Sequence, residues 1–221
     1  MRALRHLTPR YIVDRIAVDL WQRRHPDAPW LTSMAVGILG GWLDGGDTVF
    51  EWGSGKSTTW FAEHAGHVVS VEHDPSWYAI VGDRLERSPQ ATLERYLVET
   101  TEGATDSTRN DYVAVIDLTD DETVDVVLVD GLHRDECALR AVRKVRPGGL
   151  LVIDNADWYF RTGTRTPASR RLRTIWSASW AQFDSSVSTW RRIVTTNGVW
   201  DTVFWIKPPS AGIPPPPATA R

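Results

Sequence analysis

The most specific chemistry in this chain lies in eight residues, Glu51-Trp52-Gly53-Ser54-Gly55-Lys56-Ser57-Thr58. Glycines at 53 and 55 let the backbone approach a ligand closely, and a helix opening directly after them aims free amides at an anion. The Gly-Lys-Ser end invites a triphosphate-loop reading, but that motif requires its first glycine where Phe50 stands. Phe50 falls inside a predicted strand, so the loop is too short to wrap a triphosphate. Strands ending at Asp130 and Asp154 could complete such a nucleotide site, which keeps a nucleoside-triphosphate-binding module as the alternative. Glu51 argues against it. A carboxylate in the loop repels a pyrophosphate and can hold a cationic amino group. Glu72, 19 residues past Gly53, closes the next strand, where an acid can accept hydrogen bonds from ribose hydroxyls. A ligand with a ribose, an ammonium and a carboxylate satisfies both acids and the amides.

A second constellation sits where later strands end. Asp130, Asp154 and Asn155 form an all-oxygen set that suits Mg²⁺ or another hard divalent cation. Asp130 has a second reading, as a direct contact to cofactor or acceptor. His133, three residues on, titrates near neutrality and is the candidate base, with a plain loop hydrogen bond as the other reading. His64, His67 and His73 lack ligand spacing, although His73 is placed to touch the cofactor. Trp158-Tyr159-Phe160 supplies aromatic surface for a planar or sugar-like acceptor, or for the core. Arg161, Arg165, Arg170, Arg171 and Arg173 could meet an anionic group on the acceptor, or line a solvated face.

These residues need strand ends and helix starts to hold them, and the periodicity supplies both. Thr48–Glu51, Val68–Glu72, Thr92–Val98, Val124–Asp130 and Leu150–Asp154 read as strands. Helical patterns over Ser57–Ala65, Pro75–Arg87 and Asp135–Val145 separate most of them. Apolar strands alternating with helices imply a parallel sheet covered on both faces. Thr189–Thr195 and Thr202–Ile206 flank Asn197-Gly198, a hairpin signal that ends the sheet antiparallel. Two helices precede all this, Tyr11–Trp21 and Leu31–Leu43, with Trp30 and Met34 expected to face inward as a lid. The polar stretch Thr100–Asn110 reads as a surface loop. The organisation expected is a helical cap over 1–46, an α/β domain over 47–207 and a proline-rich disordered tail over 208–221.

Four segments in register resemble a known family. Glu51-Trp-Gly-Ser-Gly-Lys-Ser-Thr58, Val69-Ser-Val-Glu-His-Asp74, Val127-Leu-Val-Asp-Gly-Leu-His133 and Arg146-Pro-Gly-Gly-Leu-Leu-Val-Ile-Asp154 look like the successive motifs of class I S-adenosylmethionine-dependent methyltransferases. The departure is Ser57, where many members carry a third glycine; serine is a good helix start. The resemblance implies a Rossmann-like three-layer sandwich with a mostly parallel seven-stranded sheet. S-adenosylmethionine would be held by Glu51, Gly53, Ser54, Gly55, Ser57, Thr58, Glu72, His73 and Asp130. The Asp130, Asp154 and Asn155 set is also similar to the metal triad of catechol-type O-methyltransferases. That likeness implies methyl transfer to an oxygen of a small-molecule acceptor, with Asp130 in a catalytic role. The catechol-type family places a lysine about where His133 stands, so His133 as base is a departure that rests on its residue type and position. A non-catalytic interaction domain on the same fold is the third reading.

Composition limits partners. The 221 residues carry a net charge of −3, so nothing global attracts nucleic acid or an acidic membrane. Basic charge comes from 22 arginines and 3 lysines. The single cysteine, Cys137, excludes an internal disulfide and suits the cytoplasm. No apolar run approaches the ~18 residues of a membrane span, and the N-terminus lacks a signal-peptide pattern. Oligomeric state is left open between monomer and homodimer.

Overall fold

The computed structural model describes residues 8–85, 92–104, 107–171 and 177–210. The tail expected from 208 onward lies outside them after Ser210, and Arg173 lies outside them between 171 and 177.

Seven strands form one sheet: β1 (Thr48–Trp52), β2 (His67–Glu72), β3 (Thr92–Leu97), β4 (Val124–Val129), β5 (Val145–Ile153), β6 (Arg191–Thr196) and β7 (Asp201–Ile206). Their order is β3-β2-β1-β4-β5-β7-β6. The first five run parallel, and β7 inserts antiparallel between β5 and β6. Strand order reverses beside β1, so the carboxyl ends of β1 and β4 flank the switch point where ligands bind in open α/β sheets. This is the expected Rossmann-like three-layer sandwich.

Alternation along each strand feeds two cores. Val49, Val126, Leu128, Leu150, Val152 and Phe204 pack beneath α2 (Ser33–Trp42) and α3 (Lys56–His64) through Leu39 and Phe61. Phe50, Trp52, Val127, Val129, Leu151, Ile153 and Trp205 face the other way. There they meet α5 (Ser107–Ala114), α6 (Arg134–Lys144) and α8 (Ala178–Ser186) through Tyr112, Cys137, Trp180 and Phe183. With both faces buried, these strands read as apolar runs rather than as apolar-polar alternations. Phe160, Trp180, Phe183 and Trp205 stack edge-on or tilted with centroids 4.8–5.9 Å apart, so Trp180 and Trp205 fill core.

Three expectations change. The stretch given to a loop from Thr100 to Asn110 instead begins α5 at Ser107, and a 3₁₀ turn (Val115–Leu118) follows. Its polar first turn hides the apolar residues beyond, Tyr112, Val113 and Ile116, which are buried. Strand β5 begins at Val145 and runs through Pro147-Gly148-Gly149, where the pairing with β4 shifts register. The first helix, α1 (Pro9–Arg24), buries only Val18, while Ile12, Ile16 and Leu20 are exposed, as is Met34; Trp30, also partly open to solvent, lines the cleft described below. Thr8 caps α1 by accepting from Tyr11 N at 3.2 Å, and Pro9 suits its first turn.

Helix α1 is tied over the carboxyl edge of the sheet by Asp14. Its carboxylate accepts from Nε and Nη2 of Arg165 at 3.1 and 2.9 Å, joining α1 to the chain that follows β5. Arg165 is thereby engaged by the protein itself. Thr32 fixes α2 in the same region: its hydroxyl lies 2.5 Å from that of Thr195, and its amide donates to Thr202 at 3.2 Å. The fourth helix, α4 (Pro75–Leu85), follows β2, and α7 (Pro167–Arg171) follows β5. Among the described residues, no helix is long and apolar enough to cross a membrane.

Candidate cofactor and acceptor sites

The chain leaves β1 at Trp52 and turns at Gly53, whose φ of +97° lies where side chains are rarely tolerated. A Cβ on Gly53 would sit 2.8 Å from the Gly131 amide nitrogen, so the ends of β1 and β4 touch backbone to backbone. Gly55 lies immediately before α3 and donates its amide to Thr58 Oγ1 at 2.9 Å. Ser54 closes the turn against the next strand, its hydroxyl 2.7 Å from Ser70 Oγ.

Glu51, near the end of β1 and just before this turn, is completely buried. Thr58 and Ser70 both donate to Oε1, the latter at 2.8 Å. Oε2 has no partner among the described residues. Burial pushes the carboxyl up to about 7 against these hydrogen bonds, with the nearby Asp130 charge adding to the rise. A buried carboxylate oxygen without a donor is costly, and a cationic ligand group is the kind of partner that removes the cost. Together the Gly53 turn, the start of α3 and the orphaned Oε2 fit an S-adenosylmethionine site.

Glu72 also braces the loop. Its carboxylate accepts the amides of Ser54 (2.9 Å), His73 (2.7 Å) and Asp74 (2.9 Å), and His73 Nδ1 lies 2.8 Å from Oε1. Most of its acceptor capacity therefore braces the loop, leaving one lone-pair direction on Oε2 for a hydroxyl. Lys56 turns away from the loop, donating to Pro26 O and standing 5.7 Å from the Trp30 ring centroid. A phosphate-gripping lysine would point the other way, which disfavours the nucleoside-triphosphate reading.

Beyond the ends of β4 and β5 lies a cleft of about 350 Å³ lined by Arg15, Gln22, Trp30, Asp130, Asp154, Asn155 and Trp200. A second hollow shares Arg15, Asn155 and Trp200 with it and adds Trp158. Asp130, Asp154 and Asn155 are thus together, as their strand-end positions require. Burial raises the Asp130 carboxyl, opposed by Arg134; it raises Asp154 well above the usual range, helped by the Asp130 charge. The Trp200 Nε1 donor is buried without a partner among the described residues.

The three oxygens do not fit a divalent ion. Arg134 Nη2 donates to Asp130 Oδ1 at 2.9 Å, Nη1 to Asn155 Oδ1 at 3.4 Å, and Thr202 Oγ1 to Asp154 Oδ1 at 2.6 Å. Among the described residues no group of three or more His, Cys, Asp or Glu could hold a metal. His133 also departs from expectation. It is buried before α6 with Nε2 3.3 Å from Thr100 Oγ1 and its ring edge-on to Tyr112, and it does not line the cleft. Burial lowers its pKa, aided by Arg109, so the ring is neutral near pH 7. Trp158 does reach the second hollow, whereas Phe160 is core.

Arg134, Trp200, Arg15 and Ser70 were not singled out from the sequence. Only Ser70 left a signal, as the one polar residue inside the apolar run Val68–Val71.

A sheet of this order with a buried acid near the end of β1 and a glycine turn after it defines the class I nucleoside-binding methyltransferase architecture. Residues 50–156 match the family model described as a methyltransferase domain, in keeping with the likeness of the motifs to class I S-adenosylmethionine-dependent methyltransferases. Solved structures share the fold. A methyltransferase-like protein from Silicibacter pomeroyi is 24% identical, with a TM-score of 0.55 over 86% of this chain and 93% of its own. A protein from Corynebacterium glutamicum is 12% identical, with a TM-score of 0.57 over 91% and 92%. An O-methyltransferase from Bacillus cereus, solved with S-adenosylhomocysteine, is 16% identical, with a TM-score of 0.51 over 88% and 90%. No curated sequence matches the chain.

Proposed function

We propose that this methyltransferase acts on an oxygen of a small, ring-bearing acceptor held in the cleft between α1 and the ends of β4 and β5. The observation that carries this reading is Asp154: a buried carboxyl of raised proton affinity facing a cleft walled by Trp30 and Trp200. Methyl transfer from a sulfonium is an in-line displacement, so the protein must align the acceptor and take its proton. S-adenosylmethionine, held by Glu51 and the Gly53–Gly55 turn, supplies the methyl group. The indole faces hold the acceptor ring, and Trp200 Nε1 offers it a donor. Asp154, when ionised, receives the hydroxyl proton. A strongly basic amine acceptor would arrive protonated and form an ion pair with that carboxylate, which leaves no nucleophilic lone pair. The O-methyltransferase from Bacillus cereus lends the oxygen assignment support of a general kind, through shared fold.

The test is release of S-adenosylhomocysteine with matched phenolic, sugar and amine acceptors. Turnover of hydroxyl acceptors that Asp154→Asn reduces at least a hundredfold is the expected result. Turnover of amines alone, with S-adenosylmethionine still bound, would overturn the oxygen assignment while leaving the cofactor intact.

A further inference from the structure

The oxygens expected to gather a divalent cation are gathered by a side chain instead. Arg134 opens α6 and reaches back beneath two strand ends. Its Nε donates to Gly131 O at 2.9 Å. Nη1 donates to Asp154 O at 2.6 Å and to Asn155 Oδ1 at 3.4 Å. Nη2 donates to Asp130 O and Asp130 Oδ1, both at 2.9 Å. A guanidinium has five N–H donors in a fixed plane, and every one of them has an acceptor here. Backbone turns on both sides make this possible. His133 and Asn155, the residues following the β4 and β5 ends into their loops, both take left-handed conformations with φ of 49°. The first swings Arg134 back toward the sheet, and the second presents Asn155 Oδ1 to it.

We infer that Arg134 is the fixed cation of this site, standing where a divalent ion would, so that the protein handles its acceptor without one and acquires a divalent-cation site only when Arg134 is removed. Charge makes the case as strongly as geometry. Two carboxylates converge at the strand ends, and a positive partner is needed to keep Asp130 ionised in so enclosed a place. Arg134 supplies it with a side chain only 13% exposed, against 28% for Asp130. A hard ion such as Mg²⁺ demands oxygens at 2.0–2.1 Å in an octahedral array. Here Asp130 Oδ1 and Asn155 Oδ1 are spread along a planar fork, and a guanidinium beside them repels a second cation. Lysine, with three donors on a point charge, could neutralise Asp130 but not span all five acceptors. The inference concerns the same cleft as the proposed acceptor site, yet cation binding is read independently of methyl transfer.

The experiment is titration of the full chain with Mn²⁺, followed by electron paramagnetic resonance of the free ion. Wild type and Arg134→Lys are expected to leave the signal unquenched into the millimolar range. Arg134→Ala is expected to bind Mn²⁺ at least tenfold more tightly than wild type, and its lowered Tm to recover when Mn²⁺ is added. Asp130→Asn in the Arg134→Ala background should abolish both gains. Saturable Mn²⁺ binding by wild type that Asp154→Asn removes would overturn the inference. So would a folded Arg134→Ala protein with no gain in affinity. If circular dichroism shows Arg134→Ala unfolded, the wild-type titration decides alone.

Discussion

Ser70 Oγ donates to Glu51 Oε1 across 2.8 Å, from β2 to the neighbouring β1, and Thr58 of α3 donates to the same oxygen. Two strands and a helix therefore aim one carboxylate, with its other oxygen unpartnered. Replacing it by an amide keeps the shape and removes the charge. Glu51→Gln is expected to weaken S-adenosylmethionine binding about 10–100-fold, the range for losing a charged hydrogen bond. Because the free carboxyl titrates at about 7, wild-type affinity should strengthen as pH rises from 6 to 8. Calorimetric titration at several pH values checks both parts; an affinity in Glu51→Gln equal to wild type would remove Glu51 from the cofactor site.

Gly53 leaves no room for a side chain. Alanine there would meet Gly131 N at 2.8 Å in a backbone region, φ +97°, that alanine avoids. Gly53→Ala is expected to cost about 1–3 kcal/mol from the backbone conformation alone, and more from the contact. It should also displace the turn enough to abolish cofactor binding. Thermal unfolding and titration together test this, with Gly37→Ala as the control, since a Cβ at Gly37 meets nothing within 4 Å.

Asp157 and Asp201 form a second buried acidic pair beside the cleft, with Asp201 Oδ2 accepting from Thr162 and, at 2.6 Å, from Thr164. Burial pushes the Asp157 carboxyl up to about 6, and the Asp201 charge adds to the rise. A folded-state pKa above the unfolded ~3.9 means that the folded protein binds the extra proton. The resulting stability is complete below pH 4 and is lost as pH rises through 6. Asp157→Asn is uncharged throughout, so it should gain on wild type across that window, by on the order of 2–3 kcal/mol. Denaturant unfolding at pH 4 and pH 7 decides it; an unchanged difference between the two proteins would refute the assignment.

Much of the sheet was legible because parallel strands buried on both faces leave continuous apolar runs such as Val124–Val129, and the Asn197-Gly198 turn marked the closing hairpin. The Glu51–Gly55 turn was legible for a local reason: its glycines answer to backbone conformation and close contact, which leave their mark in neighbouring residues. Helix α1 misled because its apolar stripe, Ile12, Ile16 and Leu20, points to solvent, and periodicity alone cannot say which face is covered. Arg134 was invisible among 22 arginines. Its role depends on two left-handed turns and on the spacing between β4 and β5, none of which a linear pattern records. Glu72 was placed correctly at a strand end, but its turn toward three amides is a property of the folded loop.

The bidentate pair between Asp14 and Arg165 holds α1 over the acceptor cleft without touching the cofactor turn. Asp14→Ala removes one partner of a partly buried pair and should loosen α1. The expected result is a severalfold rise in the acceptor KM with the S-adenosylmethionine Kd unchanged. A matching loss in both would show that α1 organises the cofactor site as well.

The base assignment separates Asp154 from His133 most directly. Asp154 lines the cleft and carries a raised proton affinity, so its ionised fraction grows with pH; turnover should therefore rise along a limb lying well above the ordinary carboxylate range. Asp154→Asn should lower kcat by about 10²–10⁴, the usual worth of a general base, and erase that limb. His133 faces Thr100 and Tyr112 away from the cleft, and its neutral ring titrates below the ordinary histidine value. His133→Gln keeps a hydrogen-bonding group for Thr100 and should leave kcat within a few fold while lowering Tm through lost packing. The opposite pattern, activity surviving in Asp154→Asn and collapsing in His133→Gln at unchanged cofactor affinity, would return the proton to His133 and require that loop to move when the acceptor binds.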